Sequence, residues 1–148
     1  MKLAKYDYST EENAELFKFN SEGPKGSIKK LIVYSQMLEE DVYNLAFGDY
    51  NELTDSIDDE IITDNKDSQK VLATVVSTLY VFTSKHPNVW VYATGSNSAR
   101  TRLYRMGITI NLQEVLVDFQ VYGLSNDTWL AFEKGKEYEA FLVKRKLY

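Results

Sequence analysis

The sequence predicts an α+β fold: an antiparallel or mixed β-sheet with two to three helices packed on one face. Three observations lead there. Strand-like runs bunch at both ends of the chain, while two helical apolar stripes lie between them. Eleven tyrosines and seven phenylalanines stand against two prolines, a balance that suits sheet packing with few stiff loops. The 148 residues are the usual size of one domain, and 44% of them are hydrophobic, which is enough to build one core. The whole chain, 1–148, is therefore read as one α+β domain.

The elements follow in order. Lys5–Tyr8 reads as a short first strand. Leu16–Asn20 and Ser27–Gln36 read as a hairpin around Ser21-Glu22-Gly23-Pro24-Lys25-Gly26, which has the residues of a compact turn. Lys29 and Lys30 mark a wet end of the second strand. Val42–Phe47 alternates, with Tyr43, Leu45 and Phe47 on one face. Gly48-Asp49-Tyr50-Asn51 reads as a turn and Ile57–Thr63 as an acidic edge strand, charge on an edge being a guard against aggregation. Val71, Leu72, Val75, Val76, Leu79 and Phe82 keep the spacing of one buried helical stripe, capped by Asn65 or Asp67 and stopped by Pro87. Val89-Trp90-Val91-Tyr92-Ala93 suits a central strand covered on both faces. A second helix runs from Ser96 or Ser98 to about Met106, with Gly107 as its C′ residue. Asn111-Leu112-Gln113-Glu114 opens another stripe containing Val115, Leu116 and Phe119. Val121–Leu124 and Trp129–Phe132 form a hairpin around Ser125-Asn126-Asp127. Lys134-Gly135-Lys136 turns the chain into a last strand, Tyr138–Leu147, with Phe141, Val143 and Leu147 on one face.

Composition excludes several chemistries. With no cysteine there is no disulfide, no zinc ribbon, no iron–sulfur ligation and no catalytic thiol. The N-terminus turns charged too early for a signal peptide, and no apolar run approaches the roughly 20 residues that span a bilayer. A cytoplasmic, bacterial protein without membrane attachment is the expectation. Net charge is −5, unevenly placed: residues 1–68 sum to −9 and residues 69–148 to +4. Such asymmetry suits head-to-tail self-association or an anionic partner, unless the fold interleaves the halves and cancels it.

The strongest candidate site is the corner Thr94-Gly95-Ser96-Asn97-Ser98-Ala99-Arg100-Thr101-Arg102-Leu103-Tyr104-Arg105. A strand ends, a glycine turns, and a helix opens with hydroxyls and three arginines. Free N–H groups of a first helical turn favour an anion, and guanidinium forks suit phosphate or carboxylate. Thr94, Gly95, Ser96, Ser98, Arg100, Arg102 and Arg105 are the candidate ligand-binding residues. Arg102, Arg105 and Ser98 share one side, whereas Arg100 flares to another. The competing reading ties these arginines to the acids of Asp55–Glu60.

Other candidates are weaker. A Walker loop needs Gly-Lys-Ser/Thr, and a nucleotidyl-transfer site needs paired carboxylates downstream; neither is present. Asp55, Asp58, Asp59, Glu60, Asp64 and Asp67 read as a solvated edge. An EF-hand register from Asp49 fails at Leu53 and Thr54. His86, the only histidine, reads as a helix-end cap or a surface residue. Trp90, Tyr92, Tyr104, Tyr122, Trp129 and Tyr138 offer rings for stacking, with core packing the preferred reading. Overall acidity argues against broad nucleic-acid affinity.

Five stretches carry a resemblance: the Ser21–Gly26 turn, Phe47-Gly48-Asp49, Lys70–Val75, Thr94-Gly95-Ser96 with Ala99–Ile108, and Tyr138–Lys144. Together they resemble a set of small bacterial proteins classed as a domain of unknown function. The resemblance spans nearly the whole chain, with the arginine-bearing helix start as its most specific part. It implies one soluble bacterial domain and brings no activity. The combined expectation is a cytoplasmic binding or interaction module without cofactor or metal, recognising an anionic ligand or acidic protein segment at Gly95–Arg105, as a homodimer. The alternative is a small phosphate-handling enzyme, nuclease-like or nucleotidyl-transfer-like, with Asp58 or Asp59 holding a metal.

Overall fold

The stripe Val71–Phe82 forms the longest helix. In the computed structural model, which describes residues 4–58 and 62–147, α1 (Ser68–Lys85) buries Val71, Leu72, Val75, Val76, Leu79 and Phe82. Its face is broad enough to bury Thr74, Thr78 and Thr83 too, each hydroxyl turned back to a carbonyl of its own helix. Such back-bonding satisfies each hydroxyl as a donor, and each oxygen also meets a tertiary partner: Tyr6 N at 2.8 Å, Tyr34 Oη at 3.0 Å and Arg145 Nε at 3.1 Å.

Among the described residues the strands are β1 (Ser9–Thr10), β2 (Leu16–Gly23), β3 (Gly26–Gln36), β4 (Val42–Asn51), β5 (Ser56–Ile57), β6 (Trp90–Ala93), β7 (Phe119–Ser125), β8 (Thr128–Ala131) and β9 (Ala140–Arg145). They form a mixed sheet in the order β1-β2-β3-β4-β6-β9-β7-β8, with β5 beside β4. Only β4 and β6 run parallel, the link that α1 spans. The remaining helices are α2 (Ser98–Ile110) and α3 (Leu112–Asp118). The expected α+β architecture is thus the observed one. The core lies between α1, α2 and the inner sheet face, where Phe17, Ile32, Phe82, Val91, Phe119 and Phe141 are each at most 1% exposed.

The turns obey their chemistry. Gly23 pairs with Gly26 around Pro24-Lys25, and Gly26 takes φ +89°. Buried Asn65 holds this turn: its Oδ1 accepts from Lys25 N at 2.7 Å and its Nδ2 donates to Gly26 O at 2.8 Å. Asn126 and Asp127 both have positive φ between Ser125 and Thr128, the two-residue hairpin loop whose twist matches the strands.

Several expectations are corrected. The first strand is Ser9–Thr10, not Lys5–Tyr8. Gly48–Asn51 is no turn; β4 runs through it because Asp49 is paired across the sheet with Lys30. Lys30 is therefore buried rather than wet. Asp59–Ile61 of the expected strand Ile57–Thr63 lie outside the described residues; of the others, Ile57 alone is in a strand and Thr63 turns to the Asp49 carboxylate. Neither Asn65 nor Asp67 caps α1 by its side chain. Asp67 instead accepts from Tyr6 Oη at 2.6 Å and from Ser21 Oγ, so it is no part of a solvated edge. Leu116 is 40% and Leu147 63% exposed, off the apolar stripes assigned to them.

Gly107 is not a helix terminus. α2 continues through it to Ile110, and Gly107 faces Leu72 and Val76 of α1. A Cβ placed there meets Leu72 Cδ2 at 3.5 Å, an ordinary contact, beside an apolar cavity of about 50 Å³. Replacing a helix-interior glycine by alanine removes an entropic cost of roughly 0.5–1 kcal/mol. Gly107→Ala is accordingly expected to raise the urea midpoint and to lift Tm by a few degrees; a fall in either would show that the two helices need closer contact than the geometry implies.

The strands of the two charge halves stay apart. Strands from residues 9–57 form one end of the sheet and strands from 90–145 the other. The helices cross this division: α1 of the second half packs on the first, with Lys70 over the Tyr6 ring at 4.2 Å and Phe82 stacked on Tyr34.

Candidate functional site

The corner after β6 is built on close backbone approach. Gly95 packs so tightly on the first turn of α2 that a Cβ would collide with Arg100 Cβ and with the backbone N of Thr101. Its N–H donates to Thr101 Oγ1 at 3.0 Å, and that hydroxyl donates to Asn97 O at 3.1 Å. Asn97 is the N-cap; its Oδ1 accepts from Arg100 N at 2.9 Å. The sequence reading started the helix at Ser96 or Ser98 and overlooked Asn97, although Asn is among the preferred caps. Thr94 Oγ1 donates to Glu139 O at 2.8 Å, tying the strand end to the entry of β9.

A cleft of about 700 Å³ opens beside this corner, between α2 and the ends of β7 and β9. Ser98, Arg102 and Arg105 line it from α2 and Glu137 and Glu139 from the segment before β9, with Thr94 and Gly95 at the corner between them. The helical spacing places Ser98, Arg102 and Arg105 on one side of α2, as expected. Arg102 is exposed, and Arg105 donates to Lys136 O at 3.3 Å. Among the described residues no carboxylate lies within 4 Å of any of the three arginines. The ties expected from Asp59 and Glu60 lie outside the described residues.

Ser96 and Arg100 do not line the cleft. Arg100 is half-buried, and its Nη2 has no hydrogen-bond partner among the described residues. Its charge is felt by Tyr104, one turn on. Burial pushes that hydroxyl up to about 12, with the guanidinium working against the shift. Tyr104 Oη donates to Leu45 O at 3.3 Å, fastening α2 to β4.

The remaining candidates take structural places. His86 follows α1 as its C-cap, stacks on Phe82 at 4.5 Å, and its Nε2 lies 3.0 Å from Asn13 O. Among the described residues no group of three His, Asp or Glu side chains converges as a metal site. Of the six aromatic candidates only Tyr138 is fully buried. Trp90, Tyr92 and Tyr122 are half-buried, and Trp129 is 38% exposed. The preferred core reading fails for these four because the sheet is covered by helices on one face only, where Val91 and Ala93 point. Trp90 and Tyr92 point to the other face, so β6 is central but not covered on both sides.

The sequence reading also missed a buried polar cluster. Lys30, 2% exposed, pairs with Asp49 and donates to Thr63 O at 2.9 Å; Asp49 Oδ2 accepts from Thr63 N at 3.0 Å. Every member is satisfied, which marks it as structural. No helix among the described residues is long and apolar enough to cross a membrane.

The model of a family described as "Family of unknown function (DUF6934)" matches residues 2–146, and the chain belongs to that family. No curated protein and no solved structure matches it.

Proposed function

We propose that this DUF6934 chain is a non-enzymatic binding module of the bacterial cytoplasm that holds an oxyanion, free or on an acidic protein segment, in the cleft beside α2. One observation carries the reading: Arg102 and Arg105 stand one turn apart on a cleft wall with no carboxylate of the described chain within ion-pair distance. The cleft volume falls within the roughly 300–1,000 Å³ typical of ligand sites. Ser98 adds a hydroxyl, and the N–H groups at the start of α2 add partial positive charge. Glu137 and Glu139 opposite favour a guest that presents its anion to the helix and a neutral or cationic group across from it.

The test is a thermal-shift series with sulfate, inorganic phosphate and a phosphorylated peptide. A guest that prefers the native chain raises Tm with its concentration. Arg102→Ala is expected to remove that rise while changing the stability of the unliganded chain by less than about 0.5 kcal/mol, as befits an exposed side chain. A drop of several degrees with no ligand effect would make Arg102 a structural residue and end the proposal.

A further inference from the structure

The helices leave one face of the sheet uncovered, and its composition is unusual for an acidic chain. Strand alternation and register place Asn44 and Ala46 of β4, Trp90 and Tyr92 of β6, Leu142 and Lys144 of β9, Gln120, Tyr122 and Leu124 of β7, and Trp129 of β8 on that face. Trp90 lies 5.8 Å from Tyr122, and Tyr92 lies 6.3 Å from Trp129, centroid to centroid. Lys144 sits over Trp90 at 5.4 Å. No Asp or Glu occupies an uncovered position of these five strands, although the chain carries 22 of them. Aromatic rings with charge depleted describe the centre of a protein–protein interface.

Charge decides the partner. At the far end of the same face, Glu11, Glu15 and Asp55 line a hollow over β2–β4 with one lysine, Lys18, among them, a net excess of acid. On the aromatic half the uncovered strand positions carry Lys144 and no carboxylate, so the two ends of the face differ in sign. We propose that a second copy of this chain packs on this face, sheet to sheet, about a two-fold axis running along the strands between β4 and β6. That axis lays the acidic end of each copy over the basic end of the other. An axis across the strands would stack like on like. Single-stranded nucleic acid also stacks on exposed rings, but it needs several cations to track its phosphates. Lys144 is the one cation at the uncovered positions of β6, β9, β7 and β8, and the acidic end would repel the strand. Of the residues named on this face only Leu124 also lines the cleft beside α2, and the rings and the arginines are not shared, so neither reading depends on the other.

Sedimentation of the full chain tests the proposal, with tryptophan quenching by acrylamide as a second readout. Both tryptophans of the chain, Trp90 and Trp129, lie on this face, so dimer formation shields both. The expected species has twice the 17.1 kDa of one chain, and quenching falls as concentration rises. Tyr92→Glu is expected to weaken the dimer roughly 30-fold or more, the loss of one interface anchor, with an unchanged circular dichroism spectrum. Trp129→Gln, on the edge strand, serves if Tyr92→Glu does not fold. Leu38→Glu, at a fully exposed loop position, leaves the dimer intact. A natural chain that stays monomeric at high micromolar concentration overturns the proposal. So does a dimer indifferent to Tyr92→Glu and Trp129→Gln, or a monomer whose tryptophans are quenched by oligothymidylate.

Discussion

Asp49→Asn is expected to lower folding stability by about 3–5 kcal/mol, the usual consequence of removing one partner of a buried ion pair. The reason is location. Lys30 and Asp49 face each other across β3 and β4 on the helix-covered side, and Lys30 is 2% exposed. Asparagine keeps the shape and can still accept from Thr63, but it leaves the ammonium charge in the core without its counter-ion. Thr63 O, the other acceptor of Lys30, carries no formal charge. A domain of this size has roughly 5–15 kcal/mol to lose, so the variant sits near the edge of folding. Lys30→Met in the Asp49→Asn background removes the stranded charge and should recover a large part of the loss. The urea midpoints of the two single variants and the double variant form a cycle that isolates the pair. A loss below about 1 kcal/mol in Asp49→Asn would mean that water reaches the pair and that it behaves as a surface bridge.

That pair also shows where sequence reasoning stops. α1 was legible because its apolar residues, Val71 to Phe82, repeat at one period over roughly three turns, a signal that no neighbour has to complete. The β2–β3 and β7–β8 hairpins were legible because Gly26, Asn126 and Asp127 supply the positive φ their turns require. Gly48-Asp49-Tyr50-Asn51 was misread because its composition is that of a turn, and its strand conformation depends on Lys30, 19 positions earlier. Lys30 was misread for the same reason: each charge looks wet until the other is placed opposite it. Gly107 has the local chemistry of a C-cap, and only the packing of α2 beside α1 as far as Ile110 shows that it lies inside the helix. For the candidate site, spacing along α2 was enough to put Ser98, Arg102 and Arg105 on one wall and to turn Arg100 away. The opposite wall, Glu137 and Glu139, comes from a segment more than 30 residues later and leaves no local trace. The uncovered aromatic face was hidden because alternation shows that Trp90 and Tyr92 share a side, not whether a helix lies over it.

Gly95→Ala separates the architecture of the corner from the charges it carries. At this position φ is not the issue; space is. The added methyl meets the Cβ of Arg100 and the backbone of Thr101, and a helical backbone cannot swing aside as a flexible side chain can. Relief requires the first turn of α2 to lift from the end of β6. That displacement breaks the Gly95 N–H to Thr101 Oγ1 bond and moves Ser98 and Arg102 relative to Thr94 and Glu139. Overpacking of this kind costs about 1–3 kcal/mol, and anion binding in the cleft is expected to vanish with it. Thr101→Val is the comparison: it deletes the hydroxyl without adding bulk, leaving the Gly95 N–H unpaired at a cost of roughly 1–3 kcal/mol, yet it leaves the cleft in place. Equal destabilisation in the two variants, with binding lost only in Gly95→Ala, would assign binding to the position of the helix turn. Binding retained by Gly95→Ala would mean that the arginines act as free surface charges, and the cleft would then have no part in recognition.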